Sequence, residues 1–236
     1  GRLGILGLAE LYGIDDVAGD GFRRVQLASA ARGGITGMAG VHALTSYPLR
    51  TSPVLRGRWI LESLLGDKIP PPPPEVPALD EEKMVEEGVS LRRQLEIHRE
   101  NPNCAGCHDK MDPLGFGLEN FDTLGRWRTE DHGQPLDTTG VLPNGETYTG
   151  PDGLKQVLLK QKDKVLRHMT RKLTGFAFGR ELNKFDQCVI DQAMEALAKN
   201  DYRATVLIET IATSYPFQYR FYPVTETAEP DIAATQ

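Results

Sequence analysis

The sequence predicts a mainly helical protein. Apolar residues recur at helical spacing over residues 5–12, 35–44, 54–65, 154–159, 165–178, 185–198 and 202–213. Gly66, directly after the third of these segments, stands where a helix C-cap is expected. Strand signals are short and fall near residues 126–128 and 146–148, around a Pro-Asn-Gly turn. We therefore expect helices with a short turn or hairpin insertion.

Five consecutive prolines at residues 70–74 interrupt the chain. Such a run forms an extended polyproline II segment, which is a stiff spacer. We expect a small helical segment over residues 1–68, the end of a preceding domain, and a polyproline linker over 69–78. A central domain over 79–182, a C-terminal helical pair over 183–222 and a flexible tail over 223–236 follow.

Cys104, Cys107 and His108 form the most specific motif, C-x-x-C-H. In this pattern each thiol can bond a vinyl group of a haem, and the histidine then lies under the iron. A zinc site would need four ligands, and no second pair follows. A thioredoxin-like dithiol would need a βαβ setting that the flanking residues do not supply. We expect one covalently attached haem c, which makes residues 79–182 a helical c-type cytochrome domain.

Two residues are candidates for the second protein ligand of the iron, on the side opposite His108. His98 shares a helical stripe with Met84, Leu91 and Leu95, which predicts an inward-pointing ring. Met169 lies on the apolar stripe of residues 165–178, and methionine is a common axial ligand. Each residue also has an ordinary interpretation, His98 as a hydrogen-bonded core histidine and Met169 as core filler.

Other polar residues near the motif receive simpler interpretations. Arg126 and Arg128 are candidate partners of the haem propionates, with surface salt bridges as the alternative. The carboxylates of Asp112, Glu119 and Asp122 are interpreted as turn and cap residues, because no nucleophile or base accompanies them. The third cysteine, Cys188, lies in an apolar helical pattern, which predicts a buried position.

Composition excludes several classes of partner. The net charge is −6 and the isoelectric point is near 5.5, which argues against a nucleic-acid partner. No run of 18 apolar residues is present, so we predict no membrane span.

Thioether attachment takes place outside the bacterial inner membrane, so we expect a periplasmic or extracellular protein. The chain begins without a methionine or signal peptide, which we interpret as a mature product or fragment.

A set of short segments resembles a known family. They are residues 98–99, 104–108, 111–116 and 118–122, with 51–57, 177–180 and Asp186 in addition. The family that they resemble is the planctomycete-type cytochrome c family of large secreted proteins. It covers most of residues 8–222. The resemblance implies a secreted, haem-bearing, redox-active protein, and it supplies no substrate.

Three functions are compatible with these observations. The first is electron transfer by a monohaem c-type cytochrome, in the periplasm or at the cell surface, with a redox protein as partner. The second is a haem enzyme, a peroxidase or oxygenase with an open distal site and His98 or an arginine as acid–base helper. The third is a haem-bearing structural subunit of a larger complex. We favour electron transfer, because no distal catalytic set beyond one histidine is identifiable.

Overall fold

The computed structural model describes residues 5–15, 17–19, 21–71 and 90–219. The chain is mainly helical, as predicted, and divides into two compact units, residues 1–168 and 169–236. Met84, the first residue of the helical stripe predicted for His98, lies outside the described residues. So do most of the predicted linker and the predicted tail.

The first unit begins with short helices. Helix α1 is Ile5–Leu11, 3-10 turns follow at Ala30–Arg32 and Ile35–Gly37, and α2 is Ala39–Leu44. Helix α3 (Pro53–Trp59) continues as a π-helical turn over Ile60–Leu65. The Ser52 side chain caps α3 by accepting the Leu55 N–H at 3.2 Å. The segment ends at Gly66, whose φ of 76° is the left-handed conformation of the predicted C-cap.

Two further helices carry the cysteine motif. Helix α4 is Leu91–His98, and α5 is Pro102–Phe116. The Asn101 side chain caps α5 by accepting the Asn103 N–H at 3.0 Å. None of the helices predicted from the sequence covers residues 102–116, and this was wrong, because α5 continues past His108 and through Pro113 to Phe116.

Helix α5 packs against α3 with the two backbones in contact. A Cβ atom on Gly57 would lie 1.9 Å from the Met111 carbonyl oxygen, and one on Gly115 would lie 1.8 Å from that of Pro53. Only glycine fits at either position. The sequence predicts a domain boundary at residues 69–78, whereas the structure joins residues from both sides of that segment in one unit.

Two small hairpins follow α5. Strand β1 (Glu130–Asp131) pairs with β2 (Gln134–Pro135), and β3 (Thr139–Val141) pairs with β4 (Thr147–Thr149), both antiparallel. The strand predicted at 146–148 is therefore β4, shifted by one residue. The strand predicted at 126–128 is only one isolated bridge, between Phe121 and Trp127, because Asp122 closes a tight loop there.

The core of the first unit lies between α3, α5, the second hairpin and the next helix. Helix α6 is Gly150–Lys160, and α7 (Lys162–Phe178) continues into the second unit. The buried residues of this core are Ile60, Leu61, Leu64, Leu65, Met111, Leu114, Leu118, Phe121, Tyr148, Leu154 and Val157. The motif helix thus contributes directly to the core, which fixes its position.

The second unit is helical. After a 3-10 turn at Lys184–Asp186 come α8 (Gln187–Lys199), α9 (Ala204–Ala212) and α10 (Tyr215–Gln218). Its core is formed by Phe178, Val189, Ala193, Leu197, Leu207 and Ile211. Cys188 is exposed, and the predicted burial was wrong, because this position lies beside the apolar stripe of α8. Within the described ranges, no helix has the length and apolarity needed to cross a membrane.

A buried histidine lies near the start of the chain. The ring of His42 is fully buried and stacks on Phe121 with centroids 4.2 Å apart. Neither ring nitrogen has a hydrogen-bond partner that meets geometric criteria among the described residues. Burial, followed by the positive charges of Arg56 and Arg32, lowers the pKa of His42 to about 3. His42 is therefore neutral in the folded protein at physiological pH.

The lowered pKa of His42 predicts a dependence of stability on pH. The unfolded chain takes up the proton near pH 6.5 and the folded chain only near pH 3. The contribution of neutral His42 to the free energy of unfolding is therefore complete above pH 6.5. As pH falls below that value, this contribution decreases by about 1.4 kcal/mol per pH unit. We expect His42→Phe, which retains the ring stack, to reduce this loss between pH 6.5 and 4.5 in urea unfolding. If the free energy of unfolding of His42→Phe depends on pH as steeply as that of the unmodified chain, the prediction is contradicted. The control is His132→Asn, at an exposed position.

Candidate functional site

The candidate site is the C-x-x-C-H motif, which lies entirely within α5. Residues three and four apart on a helix share a face, so Cys104, Cys107 and His108 are neighbours on one side. Cys104 is buried, Cys107 is half-buried against the core of the first unit, and both are free thiols. The side chain of His108 is 15% exposed. The motif is therefore a preformed helical turn at the edge of the core.

A buried carboxylate holds His108. The Nδ1 atom of His108 lies 3.0 Å from Oδ1 and 3.2 Å from Oδ2 of Asp112, one helical turn further on. The side chain of Asp112 is completely buried. An ionised carboxylate only accepts hydrogen bonds, so Nδ1–H is the donor. In the neutral imidazole, Nε2 then carries the lone pair. The Arg99 Nε lies 3.9 Å from the same carboxylate.

His98 lies against His108. The two ring centroids are 4.9 Å apart and the ring planes meet at 73°. Helix α4 is fixed there by the buried Leu95 and by Arg92, which donates to the Thr139 carbonyl at 2.7 Å. Burial, then the neighbouring His108, lower the pKa of His98, against the opposing effect of Asp112. The structure thus brings one of the two candidate axial ligands beside the motif.

The other predicted site residues have different surroundings. Met169 lies on α7, within the second unit, and is 39% exposed. Arg128 binds Glu119 at 2.9 Å and Asp131 at 2.6 Å. The side chain of Arg126 is 61% exposed, and its guanidinium lies 3.9 Å from the Asp122 carboxylate. Arg128 therefore has a structural role in the described fold, and Arg126 retains an accessible guanidinium.

Two carboxylates interpreted as turn or cap residues have other roles. Asp122 does close a turn, accepting the N–H groups of Leu124 and Arg126 at 2.8 Å. Asp112, however, binds the motif histidine, and Glu119 lies in a buried pair with Arg56. The signal for Asp112 was present in the sequence, since it follows His108 by four residues. It predicts a contact only when the motif is recognised as helical.

The chemical groups of the site fit a covalently attached haem. They are two free thiols and a histidine whose Nδ1 is held by Asp112, which leaves Nε2 as the nitrogen that could bind iron. Across the described residues, no three side chains of His, Cys, Asp or Glu are grouped so as to hold a metal ion themselves.

The chain matches two family models. Residues 32–131 match a model described as a protein of unknown function (DUF1588), a range that includes the motif. Residues 144–217 match a second model with the same description (DUF1585). Both are domains found in planctomycete-type cytochrome c proteins, which confirms the resemblance for these two domains. No match to the chain was found among curated proteins or among solved structures.

Proposed function

We propose that the chain is a monohaem c-type cytochrome module that transfers single electrons. Cys104 and Cys107 would hold the porphyrin through thioethers, and His108 Nε2 would bind the iron. The observation that carries the proposal is a helical C-x-x-C-H turn with free thiols and a histidine fixed by Asp112. The two domain matches support it, since both domains occur in cytochrome c proteins.

When bound, haem supplies a one-electron iron couple. The chain's own residues orient and shield the site. Asp112 orients the His108 ring, and the core around Met111 and Leu114 excludes water from the inner face of α5. Arg126, with its accessible guanidinium, is the propionate partner that we retain.

The proposed thioether attachment of haem also implies where the chain works and which partners it has. A chain matured in this way works in the periplasm or outside the cell. Its partner would be a redox protein or the other subunits of a larger complex.

His98 is our proposed second axial ligand, with Met169 as the alternative. The support is that α4 places His98 next to the motif. The His98 ring would have to move away from His108 when haem binds, because ring centroids 4.9 Å apart leave no room for a porphyrin between them. We expect a low-spin ferric spectrum without the weak long-wavelength charge-transfer band of methionine sulfur ligation. We also expect His98→Ala to admit exogenous ligands such as cyanide, whereas Met169→Ala should not.

The same spectrum distinguishes electron transfer from enzyme function. A six-coordinate, low-spin iron that cycles reversibly between two oxidation states supports the proposed function. A high-spin, five-coordinate iron that turns over peroxide with a reducing dye would favour the haem enzyme instead. A methionine band lost in Met169→Ala and unchanged in His98→Ala would assign the second ligand to Met169.

A further inference from the structure

We infer that Asp112 is a positioning residue for His108. It holds the imidazole in the tautomer that leaves Nε2 for the iron, and it makes this imidazole a stronger electron donor. The inference rests on the proposed function in naming iron as the recipient. The first step, fixing the tautomer, is a property of the chain itself.

The geometry leaves one tautomer favourable. Both carboxylate oxygens of Asp112 lie within 3.2 Å of His108 Nδ1, and the carboxylate is inaccessible to water. A proton on Nε2 instead would place a nitrogen lone pair against a buried carboxylate, and both would be acceptors without a donor. The Arg99 Nε, at 3.9 Å, compensates the carboxylate charge and leaves its bond to His108 intact.

The buried charge has a consequence for the iron. A carboxylate hydrogen-bonded to a ligating histidine raises the basicity of that ligand. Ferric iron carries one more positive charge than ferrous iron, so a more basic ligand beside a buried negative charge stabilises the ferric form. Asp112 therefore lowers the midpoint potential of the bound haem.

The tautomer is measured on the full chain produced without haem. With ¹⁵N-labelled histidine, NMR should show His108 with its proton on Nδ1. Asp112→Ala should give a mixture of the two tautomers. Protonation of Nε2 in the unmodified chain would overturn the inference, as would an unchanged tautomer in Asp112→Ala.

The potential is measured on the haem-loaded chain. Asp112→Asn removes the charge and retains a hydrogen-bond acceptor, and we expect it to shift the ferric-to-ferrous ratio at a fixed potential at least tenfold toward ferrous. For a one-electron couple this is a rise of about 59 mV. Asp109→Asn is the matched control, since Asp109 adjoins His108 in sequence but is 57% exposed and pairs with Arg99 at 3.6 Å.

The two measurements separate the inference from the proposed function. The role of Asp112 is supported if the ferric-to-ferrous ratio changes tenfold in Asp112→Asn and less than threefold in Asp109→Asn. Equal shifts in both variants would overturn it, because general charge removal would then explain the effect. If the chain takes up no covalent haem, the proposed function fails, and the NMR measurement alone decides whether Asp112 positions His108.

Discussion

Replacing Arg56 by methionine should cost about 3–5 kcal/mol of unfolding free energy, the range for breaking one partner of a buried ion pair. Arg56 is completely buried and pairs with Glu119 at 2.8 Å. It also donates to three carbonyls and a hydroxyl at 2.8–3.2 Å, those of Leu118, Phe121, Asp122 and Ser46. It is therefore the connection between α3 and the loop that follows α5.

The loss of stability is large because Arg56→Met leaves buried polar groups without their arginine partner. Methionine fills much of the arginine volume, but it removes the donor that Arg56 supplies to the Phe121 carbonyl. The carbonyls of Leu118 and Asp122 lose the guanidinium and keep one backbone N–H each. Glu119 keeps Arg128 and Thr51 as partners but loses its buried ion pair. Urea unfolding measures the loss. Arg58→Met is the control, two residues further along α3, since its side chain is 44% exposed and pairs with Glu62. A surface pair of this kind contributes about 0–1 kcal/mol, so equal losses in the two variants would contradict the account.

Adding one methyl group at Gly57 or Gly115 should separate α3 from the motif helix. Each added Cβ would lie less than 2 Å from a backbone carbonyl oxygen of the facing helix, and backbone cannot rotate out of the way. We expect a loss of about 3 kcal/mol or more for either alanine variant, at the upper end of overpacking costs. This exceeds the gain of about 1 kcal/mol from the higher helix propensity of alanine.

Gly106→Ala is the matched control for these glycines. Gly106 lies on the same helix α5, and a Cβ there meets no atom within 4 Å. We expect this variant to be as stable as the unmodified chain or slightly more stable in thermal unfolding. The double variant Gly57→Ala/Gly115→Ala should lose less than the sum, because both substitutions separate the same pair of helices. Unchanged stability in both single variants would show that the backbones are not in contact.

The sequence predicted the helical class because its helices carry regular apolar stripes and recognisable ends. The C-cap at Gly66 and the helices of residues 150–212 followed from these signals. Helix α5 was missed for a physical reason. Its sequence contains Gly106, Pro113 and Gly115, which weaken any helix considered alone, and its stability comes from packing against α3.

At the candidate site, too, local features were predictable from the sequence, whereas features that depend on packing were not. The motif is local, so Cys104, Cys107 and His108 were identifiable without a structure. The pairing of His108 with Asp112 depended on recognising α5, and the partners of Arg128 depended on contacts with residues as distant as Thr51. The polyproline run predicted a boundary, yet Gly57 and Gly115, far apart in sequence, join the residues on either side of it.

Covalent attachment of haem is the central claim, and acid–acetone extraction with intact-mass measurement tests it most directly. Protein matured in a compartment that attaches c-type haem should keep its colour in the acid–acetone precipitate and carry the added mass of one haem. Cys107→Ala should retain at most one thioether, whereas Cys188→Ala, at an exposed position in the second unit, should match the unmodified chain. Haem that is released into the acetone supernatant, or an intact mass equal to that of the chain alone, would contradict the account.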